Sequence, residues 1–479
     1  MNSSQLIAFL PVICIAAAAV VVMLTIAVRR HFTLTCLMAG LGLLVSLLAL
    51  AMAGRQGPVQ VTPLIRVDAY GRFVMALLLA AGLAVIAFCY DYFKNRKGEN
   101  EELLFLILAA LLGASVLVTS CHFATFFIGL ETLSVSLFVL VGYVLGQSGS
   151  LEAAVKYLVL SGVSSAFLLM GMALIYAQCG QLNFSGIEQY LASQELFNGM
   201  VLIGIVFIVA GVGFKLSLVP FHLWTPDVYE GAPAPVTAFI ATVSKGAVFI
   251  LLLRFFLSSG GYFYGPALTV FSVMAVASIL VGNVLALLQN NVKRMLAYSS
   301  IAHMGYLLIA FIAGGRIAPN LVVESVTFYL VAYFMTTLGA FGVVSILSTP
   351  QAEAVALSFY HGLFWRRPGL AAIFTFMLLS LAGIPLTAGF IGKFYIFAAG
   401  ADGRLWGLLL MLIIGSGLGL YYYLRLIVVM SMSQETGIDA DHEAAFGRVS
   451  SVILAVLTVL LVWFGIYPGY LMSLIQGLY

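Results

Sequence analysis

The stretch GVGFKLSLVPFHLWTPDVYEGAPAPVTAFIATVSK at 211–245 sets two lysines, Lys215 and Lys245, and a helix-breaking proline, Pro220, within a very apolar chain. An ammonium near mid-bilayer costs roughly 3 to more than 10 kcal/mol, so ionisable groups at that depth point by default to ion or proton routes. A broken helix is tolerated there only where protein or a wet cavity takes up its orphaned N–H and C=O groups. Lys215 and Pro220 together therefore point at a polar path. Glu131, in FFIGLETLSVSLFVL, lies near the centre of its own apolar run with no charged neighbour one turn away. Lys215 and Lys245 are the cations that could answer it. At about 4 Å and an effective dielectric near 20, such a pair gains on the order of 4 kcal/mol. The gain shrinks quickly with separation, so small movements would switch a lysine between holding and releasing a proton.

Three further features carry the same chemistry. Lys393 follows Pro385 by eight residues in LAGIPLTAGFIGK, a second proline-broken segment, and is the candidate exit-side proton holder. His303, in SSIAHMGYLLIA, titrates near neutral pH and suits a shuttle. Glu152 and Lys156, spaced i, i+4, are a candidate cytoplasmic entrance. Each has a plainer reading: a snorkelling lysine for Lys215, an interfacial one for Lys393, a permanent ion pair for Glu131, an ordinarily hydrogen-bonded imidazole for His303 and a surface pair for Glu152 and Lys156. His222, Asp227 and Glu230 are expected to shape the loop past the first break, and Arg254 and Arg425 to snorkel from helix ends.

The elements that must position these residues follow from composition. Of 479 residues, 63% are hydrophobic and 8% charged, against about a quarter charged in soluble domains, which makes this an integral membrane protein. At about 20 apolar residues per span, helices are expected near 5–28, 33–53, 72–92, 102–119, 123–146, 153–178, 199–224, 234–257, 266–288, 293–313, 322–347, 369–399, 404–430 and 449–474. The fold expected is an all-α polytopic membrane protein of about 14 spans. Loops after the odd-numbered helices carry most of the loop Lys and Arg, among them Arg29, Arg30, Lys94, Arg96, Lys97, Lys293, Arg294, Arg366, Arg367 and Arg448. The positive-inside rule makes that side cytoplasmic and puts both termini in the periplasm.

The two proline-broken segments lie about 170 residues apart, the pattern of a duplicated transporter unit. The division expected is an N-terminal three-helix segment at 1–95, two mutually inverted five-helix repeats at 102–257 and 266–430, each with one broken helix, and a C-terminal loop and last helix at 431–479. The connections are too short for a nucleotide or flavin domain. The cysteines at 14, 36, 89, 121 and 179 fall singly, without a CxxC, so no iron–sulfur cluster or disulfide framework is indicated. The net charge of +3 is spread without a basic patch, which argues against a nucleic-acid partner. Gly415 and Gly419 form a GxxxG pair suited to close helix packing.

The strings FKLSLVPFHLWTPDVYEGAPAPVTAFIATVSK, LLQNNVKRMLAYSSIAHMGYLLIA and LAGIPLTAGFIGKFYIF resemble the antiporter-like membrane subunits of proton-pumping NADH:quinone oxidoreductase, respiratory complex I. The likeness runs from about 102 to 430 and extends to the Mrp-type cation/proton antiporter subunits. Three antiporter-like paralogues occur in complex I, and Lys393 at the second break, with no long C-terminal arm, makes the chain similar to the N-type one. The resemblance implies that Glu131 and Lys215 are a coupled pair, Lys245 a bridge, His303 part of a central hydrophilic axis, Lys393 the terminal proton site, and Glu152 and Lys156 a pair near the entrance. It also implies no cofactor on this chain, with FMN, iron–sulfur clusters and quinone held by other subunits. The expected partners are the antiporter-like paralogues, small membrane subunits and the lipid bilayer.

Overall fold

A computed structural model of the chain describes residues 2–54, 57–96, 98–144, 148–193, 199–263, 265–350, 352–433 and 447–478. Lys97 and most of the loop expected at 431–448 lie outside the described residues. The chain begins with α1 (Ser3–Val28) and α2 (Phe32–Ala53), then a small hairpin of β1 (Val59–Thr62) and β2 (Ile65–Val67), then α3 (Ala69–Phe93). The hairpin was not expected from sequence, since a short alternating run between long helices carries little signal. Next come α4 (Glu102–Thr119), α5 (Phe123–Val141), α6 (Ser148–Cys179) and the short α7 (Phe184–Ala192), which stands where sequence suggested only a connection.

The first interrupted helix comprises α8 (Gly199–Lys215) and α9 (Trp224–Gly231). It leads into α10 (Ala234–Phe239), a π-helical turn at Ile240–Ser244 and α11 (Lys245–Ser258), which together read as one span. Then follow α12 (Gly265–Leu287), α13 (Val292–Ala313) and α14 (Pro319–Leu347). A connection containing α15 (Leu363–Arg366) leads to the second interrupted helix, α16 (Pro368–Ala382) and α17 (Ala388–Asp402). The chain continues through α18 (Trp406–Ser431), α19 (Arg448–Ile466) and α20 (Pro468–Gln476).

Among the described residues, 12 helices are long and apolar enough to cross a membrane, and α8 and α16 are shorter apolar helices. The expectation of about 14 spans took each of those two together with its restart. Helix starts are fixed locally: the side chains of His31, Asp68, His122, Asn183 and Asn291 each accept a hydrogen bond from a first-turn N–H. Pro319, Pro368 and Pro468 open their helices, where a missing N–H costs nothing.

Burial sets apart the most enclosed helices from the most outward-facing ones. The α10–α11 span, α13 and α14 are enclosed nearly throughout, while α1, α2, α6, α18 and α19 turn large apolar side chains such as Leu48, Val459 and Leu410 outward. In water such faces would be a liability; in lipid they are the matching surface. The enclosed helices are the ones that hold Lys245 and His303.

Candidate functional site

The first break places Lys215 as the last residue of α8, 5% exposed. Residues Gly213 to Trp224 satisfy much of their own backbone: Leu218 N–H donates to Gly213 O at 2.8 Å, and the Trp224 indole N–H donates to Phe214 O at 3.0 Å. Ser278 of α12 accepts from Val219 N–H at 2.9 Å. The interruption is therefore paid for by protein groups, as membrane depth demands. The Lys215 ammonium donates to Ser134 Oγ of α5 at 2.7 Å and to Ser161 Oγ of α6 at 2.5 Å. Glu131, half-buried one turn before Ser134, accepts from Ser165 Oγ at 2.5 Å. Glu131 and Lys215 thus share one pocket between α5 and α6 without forming an ion pair: hydroxyls, not the carboxylate, hold the amine.

A second group of residues lies further along the fold. Lys245 begins α11 directly after the π-helical turn, a local irregularity frequent at functional sites. Its fully buried ammonium donates to Ser300 Oγ at 2.6 Å and lies 5.4 Å from the Tyr229 ring centroid. Ser300 also accepts from Tyr333 OH at 2.9 Å, and the Tyr333 ring lies 5.5 Å from the His303 imidazole. His303 Nδ1 pairs with Tyr329 OH at 2.6 Å and Nε2 with Tyr423 OH at 3.3 Å. Tyr306 packs edge-on to His303 at 5.6 Å and presents its ring to the Lys393 ammonium at 5.2 Å. Lys393, 9% exposed in α17, donates to Ala382 O, a carbonyl freed by the second break, at 2.8 Å. Lys245, Ser300, Tyr333, His303, Tyr306 and Lys393 are thereby one contiguous buried row. Lys215 is not a direct member of it, since its amine and that of Lys245 share no hydrogen-bond partner.

The candidate entrance pair is wider than sequence suggested. Lys156 meets Glu152 at 2.7 Å and Asp227 at 2.8 Å, and Arg294 meets Asp227 and Glu230 at 2.8 Å each. Asp227 and Glu230, expected only to shape the loop, therefore join α6 and α9 to α13 through a partly exposed charge cluster.

Two basic residues need a corrected account. Arg254 does not snorkel: at 8% exposure it makes a two-pronged pair with Asp68, Nη1 to Oδ2 at 2.7 Å and Nη2 to Oδ1 at 2.9 Å. Lys293, expected among the loop cations, lies in the first turn of α13 and is fully buried, donating to Glu353, to Glu230 O at 2.9 Å and to Ala232 O at 2.5 Å. Removing one partner of such a buried pair is costly, and both carboxylates come from segments remote in sequence. Arg425, near the end of α18, reaches Asn290 Oδ1 at 2.6 Å in the α12–α13 connection. Among the described residues no cluster of three or more His, Cys, Asp or Glu side chains could hold a metal ion.

Residues 120–419 match the family described as NADH:quinone oxidoreductase/Mrp antiporter, TM. The chain belongs to this family. A relative named NADH-quinone oxidoreductase subunit N from Methylococcus capsulatus (strain ATCC 33009 / NCIMB 11132 / Bath) is 51% identical over 471 residues, covering 98% of this chain and 94% of its own length. One of the same name from Ectopseudomonas mendocina (strain ymp) is 48% identical over 486 residues, with 99% and 97% covered. A chain of respiratory complex I from Thermus thermophilus with bound aureothin superposes with a TM-score of 0.83 at 31% identity, covering 97% of this chain and 98% of that one. A chain of the Mrp complex from Dietzia sp. DQ12-45-1b shares the fold at a TM-score of 0.86 and 18% identity, with 99% and 97% covered.

In this antiporter-family chain, the sequence reading missed the phenols and hydroxyls that join the charged groups. Tyr329 and Tyr333 stand i, i+4 in FYLVAYF, which puts both on one helix face, and that spacing was the available signal. Ser161 and Ser165 also stand i, i+4, but they and Ser134 and Ser300 are weak signals, because small polar residues are common in membrane helices for packing alone.

Proposed function

We propose that the chain is the N-type proton-translocating membrane subunit of an NADH:quinone oxidoreductase, moving protons from cytoplasm to periplasm while quinone is reduced elsewhere in the complex. The observation that carries this is the buried row from Lys245 through Ser300, Tyr333, His303 and Tyr306 to Lys393. Lys215, held by Ser134 and Ser161 beside Glu131, is the loading group of the first half. Lys245 is the bridge, His303 the central shuttle and Lys393 the release group. Glu152 and Lys156, with Asp227, form the entrance. Each proton moved against the membrane potential costs about 2.3 kcal/mol per 100 mV. That energy comes from partner subunits, which carry the flavin, the iron–sulfur clusters and the quinone site. This chain binds none of these and performs no redox step.

The repeat division belongs to the same reading. Helices α4 to α11 form the first unit and α12 to α18 the second. In support, α4 lies against α5 and α6 against α8 in one, and α12 against α13 and α14 against α16 in the other. With five spans per unit the second is inverted relative to the first, and both termini face the periplasm.

Lys215→Ala and Lys393→Ala are expected to depress NADH-driven proton pumping in inverted membrane vesicles at least several-fold. Unchanged pumping in an assembled complex would remove both lysines from the path.

A further inference from the structure

Behind the row lies a second polar string that meets the proposed path only at Tyr306 and His303. Asn283, one turn before the end of the largely apolar α12, is 1% exposed, and both polar atoms of its amide are engaged. Nδ2 donates to Ile279 O at 2.8 Å and to Tyr306 OH at 2.9 Å, and Oδ1 accepts from Tyr422 OH at 3.2 Å. Tyr422 packs on Tyr423 with ring centroids 4.4 Å apart, and Tyr423 OH reaches both Ser299 Oγ and His303 Nε2. One amide therefore braces the phenol that faces Lys393 and, through the paired rings, the phenol that meets His303. Burying an amide at this depth is tolerated only when its groups are paired, so the three hydrogen bonds fix its orientation.

The neighbouring glycines fit this role. A Cβ at Gly415 would meet Tyr306 OH at 2.7 Å and Asn283 Nδ2 at 3.0 Å, and one at Gly419 would meet Asn283 Oδ1 at 3.4 Å. The GxxxG pair of α18 thus leaves room for the string as well as for close packing against Ile279.

We propose that Asn283 is a positioning residue for proton transfer between His303 and Lys393, holding Tyr306 and, through Tyr422, Tyr423 in the orientations that join the two. The inference rests on Lys393 being a proton site. With Nδ2 donating to its oxygen, Tyr306 accepts on the Asn283 side and directs its own hydroxyl hydrogen elsewhere. An ionised aspartate at 283 would reverse that hydrogen bond. Titratable groups in or facing the string are Tyr306 and His303 from α13, Tyr329 and Tyr333 from α14, Lys393 from α17 and Tyr422 and Tyr423 from α18; α12 itself supplies none.

The test uses the whole complex in inverted vesicles, with electron transfer from NADH to a soluble artificial acceptor reporting assembly. Asn283→Leu and Tyr306→Phe are expected to lower pumping at least threefold per NADH oxidised. Asn283→Asp is expected to pump poorly at alkaline pH, where a buried carboxyl ionises, and to recover as the pH falls, because the protonated carboxyl can again donate to Tyr306. A merely structural role predicts loss in Asn283→Leu with a parental pH profile in Asn283→Asp, and that pattern overturns the proposal. Normal pumping by Tyr306→Phe overturns it too, even where Asn283→Leu fails to assemble. If Lys393→Ala pumps normally, the Lys393 reading fails; if Lys393→Ala is defective while Tyr306→Phe is normal, only the role of Asn283 fails.

Discussion

Hydroxyl groups hold two of the buried lysines, Lys215 and Lys245. Ser134 and Ser161 are the two side chains that hold the Lys215 ammonium, so Ser161→Ala removes a hydrogen bond to a charged group, worth about 1.5–3 kcal/mol. Lower thermal stability and reduced pumping are expected, with Ser161→Thr restoring both because it keeps the acceptor. Asp68 lies outside the spans, at the start of α3. Burial pushes its carboxyl up, but Arg254, by charge and hydrogen bonds, together with the Gly71 N–H, outweighs burial and holds it below the usual carboxylate range. A depressed pKa gives stability that is present above the unfolded value of about 3.9 and lost as the pH falls through the folded one. Asp68→Asn leaves Arg254 buried without its anion, a loss of about 3–5 kcal/mol. In detergent its melting temperature is therefore expected to fall well below the parent's at neutral pH, and the gap to narrow below about pH 4.

At the scale of elements, the two interrupted helices do more than open a gap. Each leaves a lysine beside the break: Lys215 at the end of α8, and Lys393 on α17 with its amine on a carbonyl released at the end of α16. Gly383 makes the second geometry reachable. It sits at φ +86° after α16, and a Cβ there would come within 2.8 Å of Lys393 Cδ. Gly383→Ala is expected to cost about 1–2 kcal/mol for the left-handed backbone alone and to displace the lysine, so both melting temperature and pumping drop. Gly407→Ala, at a glycine with open space around its Cβ position, serves as the silent control.

Across the whole molecule, remote segments are tied by a few buried carboxylates. Glu353, in the connection between α14 and α16, accepts from Lys293 of α13, from Tyr92 OH of α3 and from Ala234 N–H at 3.3 Å. The Arg96 guanidinium stacks 3.8 Å from the Tyr92 ring centroid and donates to Thr349 O at 2.7 Å, fastening the same connection. Glu353→Gln leaves a fully buried ammonium without its counter-charge. A loss of about 3–5 kcal/mol is expected, read as a lower melting temperature of the purified complex and a smaller yield of it, with a larger effect than Glu152→Gln, whose pair with Lys156 is exposed.

Composition alone determined that this chain crosses a membrane many times, because stretches of about 20 apolar residues have no other economical home. Pro220 and Pro385 announced both interruptions, since a proline inside a helix removes a backbone hydrogen bond and kinks or breaks it, although Pro11 is accommodated within α1. Lys215, Lys245, Lys393 and His303 were legible for a related reason: a charge inside an apolar run is conspicuous in one dimension. Their partners were not. That Lys215 rests on serines rather than on Glu131, that Arg254 belongs to Asp68 and Lys293 to Glu353, and that tyrosines of α13 and α14 complete the row depend on which helix faces meet. Sequence spacing records the face a residue occupies along its own helix. Packing between helices far apart in the chain decides what that face touches, and only the tertiary structure holds that information.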